Sequence, residues 1–156
     1  MPPIRNLSPA AAAWQGDGSL LVVEDNPDNL VTLRAILRDR YRIVEATDGA
    51  AGLAAARSGR PSLILLDMQL PLMDGMTVLK KLKEEQSTAA IPVVALTASA
   101  MYGDREKLIK AGCAAYLSKP YQPEELEEMV SRFVPPQNLA AAMEAAISEG
   151  EGDSAV

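Results

Sequence analysis

Four apolar runs in this chain each stop on a side chain that can do chemistry. Leu20-Leu21-Val22-Val23 runs into Glu24-Asp25, and Leu63-Ile64-Leu65-Leu66 into Asp67. Ile91-Pro92-Val93-Val94-Ala95-Leu96 ends at Thr97, and Ala115-Tyr116-Leu117 ends at Ser118-Lys119-Pro120. If the runs are neighbouring parallel strands, their carboxyl ends share one rim, where open α/β sheets bind ligands. The rim then carries three carboxylates, one hydroxyl and one ammonium. Clustered carboxylates repel and raise one another's pKa values. A hard divalent cation with oxygen ligands relieves this, and Mg²⁺ suits best because it takes one or two carboxylates and keeps several waters. An ionised Asp67 carries no proton to remove and can act as a nucleophile without a base. If it attacks a phosphoryl group, the equatorial oxygens need positive charge and donors, which Mg²⁺, Lys119 and Thr97 supply.

Each residue also has a plainer role. Aspartate is a favoured helix N-cap, but Asp74-Gly75 already supplies cap and turn chemistry seven residues after Asp67. A threonine after a strand is usually a cap, and a lysine before proline is usually solvated. The conjunction of all of them at four strand ends singles out the site.

The elements that must position these residues follow from periodicity. Short apolar runs bounded by turn signals read as strands buried on both faces. Asn26-Pro27-Asp28 opens a first helix whose stripe is Leu30, Leu33, Ile36 and Leu37. Arg42–Ala46 is a second strand, nearer an edge. Asp48-Gly49 starts an Ala-rich helix that stops at Ser58-Gly59. Asp74 caps a third helix with Met76, Leu79 and Leu82 inward and Lys80, Lys81, Lys83, Glu84 and Glu85 outward. A fourth helix runs from about Ala100 to Ala111 and closes on Gly112. Pro123 opens the last, with Leu126, Met129, Val130 and Phe133 on one face. Strands alternating with helices predict an α/β fold, a doubly wound five-stranded parallel sheet with right-handed crossovers.

Residues 1–18 read as a flexible leader in which Trp14 either docks or stays solvated; 19–134 form the domain; 135–156 are an Ala-rich, then acidic tail, disordered or a short helix on Leu139, Met143 and Ile147. At 48% hydrophobic and 4% aromatic, the core must be aliphatic. A net charge of −6 argues against a nucleic-acid partner. No apolar run reaches the roughly 18 residues that a membrane span needs, and the N-terminus lacks a secretory h-region, so a cytoplasmic location is expected. Without histidine, the chain has no phosphohistidine chemistry of its own. The lone cysteine, Cys113, reads as a small buried hydrophobe.

The segments Leu21–Asn26, Leu66–Gly75, Ala95-Leu96-Thr97-Ala98 and Tyr116–Pro120 together resemble the receiver domain of two-component response regulators, most of all stand-alone cell-cycle-type receivers and the receivers of hybrid kinases. The resemblance covers residues 19–134 and implies strand order 2-1-3-4-5, the flavodoxin-like arrangement. It implies Asp67 as phosphoacceptor, Asp25 as a direct Mg²⁺ ligand with Glu24 acting mainly through water, and the Gln69 backbone carbonyl as the third protein ligand. It implies Thr97 and Lys119 as phosphoryl contacts, Tyr116 as the switch aromatic, and a cis Lys119–Pro120 bond. Gln69 and Ser99 fall where side chains tune hydrolysis of the phosphoryl bond. A sensor histidine kinase or histidine phosphotransfer protein is the implied donor; with no DNA-binding or catalytic domain expected in the 20 residues after Pro136, the output is expected through a downstream protein target, or the chain is a piece of a hybrid kinase. At most, slow self-phosphorylation from small donors and self-dephosphorylation are expected. Two rivals share parts of the pattern: a binding-only receiver that works without phosphate, and a haloacid-dehalogenase-type phosphatase, which resembles Asp-x-Asp on the first strand rather than Asp67 with Gln69 on the third.

Overall fold

A computed structural model describes Trp14, residues 16–98 and residues 102–136. Ser99, Ala100 and the Leu139, Met143 and Ile147 stripe lie outside the described residues. Ten elements alternate strictly: β1 (Ser19–Val23), α1 (Pro27–Leu37), β2 (Arg42–Ala46), α2 (Gly49–Ser58), β3 (Leu63–Asp67), α3 (Gly75–Glu84), β4 (Val93–Thr97), α4 (Tyr102–Lys110), β5 (Ala115–Ser118) and α5 (Pro123–Ser131). The strands form one sheet in the order β2-β1-β3-β4-β5, and every neighbouring pair is parallel. The expected order and the edge position of β2 are both found.

Alternation along each strand divides the core in two. Leu21, Val23, Ile64, Leu66, Val93 and Ala95 pack with α2, α3 and α4 through Leu53, Val78, Leu79 and Leu108. Leu20, Val22, Leu63, Leu65, Val94 and Leu96 pack with α1 and α5 through Leu30, Leu33, Leu126 and Val130. β1, β3 and β4 are buried along their whole length, as continuous apolar runs between two helical layers must be.

Local chemistry sets the helix ends. The Asn26 side chain accepts from the backbone N–H groups of Asp28 and Asn29, with Pro27 in the first turn. Asp48 and Asp74 cap α2 and α3 by accepting from Ala51 and Thr77. α4 closes in a Schellman turn: Gly112, at φ 107°, donates to the Ile109 carbonyl and Cys113 to that of Leu108.

One expectation about α3 is corrected. Lys83 does not face outward. Its ammonium donates to the carbonyls of Ala89 (3.0 Å) and Ile91 (2.7 Å), and burial pushes its pKa down to about 8. These carbonyls belong to the turn leading into β4 and have no strand to bond, so the lysine head satisfies them while its stem packs under Gly112. Charge alone made Lys83 look solvated; only the return of the chain shows otherwise.

At the far end of the sheet, Trp14 is docked, which decides between its two placements. Its indole N–H donates to the Pro61 carbonyl at 2.8 Å, and the Arg60 guanidinium lies 4.7 Å from the ring centroid. Asp17 N–H donates to the Arg60 carbonyl and Gly18 N–H to the Ser62 hydroxyl. Cys113 is buried, and burial pushes its thiol up to about 12, in keeping with an inert packing residue.

Candidate functional site

All the strand-end residues meet at one rim. Parallel register places Asp67 beside Leu96, one residue before Thr97, and Thr97 beside Ser118, one residue before Lys119. Two backbone bonds carry the pairing past the strand tips: Met68 N–H to the Leu96 carbonyl (2.9 Å) and Lys119 N–H to the Thr97 carbonyl (2.8 Å). On the other side, Glu24 extends β1 by donating to the Ala46 carbonyl at 2.9 Å. A strand buried on both faces leaves its last side chains only the rim to point into, so the sequence pattern and the site have one cause.

Asp67 is 2% exposed and Glu24 1%. The Asp67 Oδ1 atom accepts from the Lys119 ammonium (3.0 Å) and from the Gln69 backbone N–H (3.0 Å). Lys119 also stands 3.7 Å from Glu24 Oε1. Thr97 is 6% exposed. Asp25 is exposed, and carboxylate oxygens of Glu24, Asp25 and Asp67 lie within 4.8 Å of one another. Gln69 is exposed at the start of the loop after β3. The Lys119–Pro120 bond is cis.

Electrostatics at the rim are unbalanced. Three carboxylates face one ammonium. Glu24 is pushed up to about 7, first by burial and then by Asp67. Its Oε2 accepts from the Asn26 N–H at 3.2 Å, but its buried Oε1 has no hydrogen-bond donor. A buried carboxylate oxygen without a donor is costly. This donor set fits a hard divalent cation, which would take up the orphaned oxygen and offset the surplus charge of two.

The backbone is shaped to make room. A methyl group at Gly75 would meet the Met68 α-carbon at 2.4 Å and the Asp67 carbonyl oxygen at 2.7 Å. The start of α3 thus presses directly on the chain that carries Asp67, and only glycine allows the approach.

Tyr116 on β5 is half-buried, with the Arg105 guanidinium of α4 5.6 Å from its ring centroid. One residue of the site escaped the sequence reading. Tyr121 lines a cavity of about 460 Å³ with Asn29, Thr32, Ala98, Lys119 and Pro120. Burial pushes its phenol up to about 12, and the charges of Glu24 and Asp67 add to this. The available signal was its place directly after Lys119-Pro120.

No helix among the described residues is long and apolar enough to cross a membrane. Comparison with known proteins agrees with the geometry. The polar-differentiation response regulator DivK of Brucella anthropi is 38% identical over 117 residues, covering 74% of this chain and 95% of its own. The receiver domain of a sensor histidine kinase from Pseudomonas aeruginosa, solved with a magnesium ion coordinated in the active site cleft, is 36% identical with a TM-score of 0.69, covering 74% of this chain and 96% of its own. The phosphorylated cyanobacterial phytochrome response regulator RcpA is 27% identical with a TM-score of 0.63, covering 72% and 88% respectively. The family model for the response regulator receiver domain matches residues 20–131. With the sheet order, the acidic rim and the lysine bonded to its central aspartate all in place, this chain belongs to the response regulator receiver domain family.

Proposed function

We infer that Asp67 accepts a phosphoryl group from a phosphohistidine donor, a sensor histidine kinase or a histidine phosphotransfer protein. The observation that carries this reading is the 3.0 Å bond from the Lys119 ammonium to Asp67 Oδ1 inside a three-carboxylate cluster. Glu24, Asp25, Asp67 and the backbone carbonyl of Gln69 would hold Mg²⁺, the ion named for the Pseudomonas relative. When bound, Mg²⁺ supplies positive charge to the phosphoryl oxygens and keeps Asp67 ionised.

The chain's own residues do the rest. An oxygen of Asp67 forms a bond to phosphorus while the bond from phosphorus to the donor's imidazole nitrogen breaks, and the electron pair leaves with the imidazole. Lys119 and the Gln69 N–H hold the carboxylate in one orientation. Lys119 then faces the new phosphoryl oxygens, with the Thr97 hydroxyl as a second contact. Phosphorylation adds about −1.5 to −2 charge. Thr97 is drawn toward it, space opens beside Tyr116, and the ring leaves the Arg105 contact for the interior. The surface of α4, β5 and α5 is thereby offered to a downstream protein target.

Incubation with acetyl phosphate and Mg²⁺, followed by intact-protein mass measurement, tests the acceptor. A phosphoryl mass gain that disappears in Asp67→Asn supports it. No gain from either acetyl phosphate or a phosphorylated kinase refutes it and leaves the phosphate-independent binding module as the reading.

A further inference from the structure

Tyr116 is gripped from the side of α4. Its ring packs partly against the core cluster that holds Leu108 and Cys113, and the Arg105 guanidinium lies 5.6 Å from the ring centroid. A cation within about 6 Å of an aromatic centroid is attracted to the negative face of the ring. Arg105 is exposed and Tyr116 half-buried, so the pull on the ring is directed outward.

The two residues stand on consecutive elements that are tied together. Leu108, three residues after Arg105, is buried and fixes α4 on the sheet. Cys113 N–H donates to the Leu108 carbonyl at 3.1 Å, and Ala114 N–H to that of Val93 at 2.8 Å, which leads the chain directly from α4 into β5. The guanidinium is therefore offered to the ring from a fixed base. On the sheet side, register places Tyr116 beside Ala95 of β4, and Thr97 follows Ala95 on the same face of that strand. The neighbouring strand position thus presents a methyl group, too small either to grip the ring or to block it. The cation on α4 is what biases the ring outward.

We propose that Arg105 is a positioning residue of the switch: its cation holds the Tyr116 ring outward in the unphosphorylated protein and so sets the fraction of chains that take the active conformation without phosphate. The proposal rests on the reading of Asp67 as acceptor and Tyr116 as switch, and adds a second control to it. Thr97 answers to the phosphoryl group from inside the site; Arg105 opposes the same movement from outside. At an exposed position such a contact shifts an equilibrium about twofold to fivefold, which tunes a resting population without locking it.

The chain is produced with isotope-labelled tyrosine rings, and its four tyrosines are followed by NMR, Tyr116 being the signal that Tyr116→Phe removes. Wild type, Arg105→Met and Arg105→Lys are compared with and without acetyl phosphate and Mg²⁺, and intact mass records the phosphoryl group. In wild type the Tyr116 signal should move on phosphorylation. In unphosphorylated Arg105→Met it should already lie part of the way along that path, with the inward-to-outward ratio raised about twofold to fivefold. Arg105→Lys keeps a cation and should stay closer to wild type, and Tyr41 should hold its signal in all three. A Tyr116 signal in Arg105→Met that equals wild type, or departs in another direction, overturns the proposal. So does an equal displacement in the Met and Lys variants, which would make the contact one of packing, or a displacement shared by Tyr41, which would make it a loosening of the fold. A wild-type signal that stays in place in a chain shown by mass to be phosphorylated refutes Tyr116 as the switch. A wild-type chain that gains no mass from acetyl phosphate or a phosphorylated kinase refutes the acceptor reading. Either result takes this proposal with it.

Discussion

Replacing Glu24 by glutamine should stabilise the metal-free protein, and the gain should depend on pH in one direction only. Glu24 stands at about 7 in the fold against 4.5 for an ordinary glutamate. Between these values the native protein binds more protons than the unfolded chain, so the wild type's stability falls as pH rises from about 4.5 through about 7 and is flat above. At 1.36 kcal/mol per decade, the full gap is worth about 3 kcal/mol. Because the Lys119 ammonium stands 3.7 Å away and offsets part of the cost of charging Glu24, about 1–3 kcal/mol is the expected range. Glutamine keeps the shape, removes the charge and brings N–H donors that Asp67 can accept. In EDTA, Glu24→Gln should therefore unfold at higher urea than wild type at pH 8, and the two midpoints should converge near pH 5. Mg²⁺ should narrow the gap. At ten times its dissociation constant it adds about 1.4 kcal/mol to whichever protein binds it, and the variant has lost a carboxylate. Urea titrations at four pH values, each with EDTA or Mg²⁺, decide the matter. A gap that is the same at pH 5 and pH 8, or a variant less stable than wild type at pH 8 in EDTA, refutes the electrostatic account of this rim.

Gly75→Ala should cost about 2–3 kcal/mol and slow labelling by acetyl phosphate, because its methyl group meets backbone atoms of Met68 and Asp67 that cannot swing aside; urea melts and intact mass follow both. Lys83→Met leaves the Ala89 and Ile91 carbonyls without their donor and should cost about 2–4 kcal/mol. Since Lys83 stands near 8 when folded and 10.5 when not, wild type should gain on this variant as pH rises from 8 to 10.5, which paired melts across that range will show. Trp14→Ala removes the bond to Pro61 and the stack on Arg60 and should lower the thermal midpoint by a few degrees; an unchanged midpoint would mean that the cooperative unit starts after Trp14. Thr97→Ala should still accept phosphate at Asp67 but no longer strengthen partner binding, so phosphorylation-dependent affinity equal to wild type in a pull-down would refute the proposed switch.

Sequence alone determined the architecture and the membership of the rim, for one physical reason. A strand buried on both faces must be apolar until the sheet ends, so the first polar residue after each run marks the tip, and parallel order collects the tips. Asp67, Thr97 and Lys119 were legible by that logic, as were the caps at Asn26, Asp48 and Asp74, which act within one turn of themselves. What tertiary structure decided involves residues far apart in the chain or a balance of charge in space. Lys83 reads as one more solvated charge until the chain returns from α3 and offers it two carbonyls. Trp14 reads as a tail residue until Pro61 and Arg60 arrive beside it. The value of about 7 at Glu24 follows from burial and the approach of Asp67, neither of which a linear pattern encodes. Leu72 looks like any loop leucine in the sequence; its left-handed backbone and complete exposure exist only once Gly75 has pinned the loop shut against Met68.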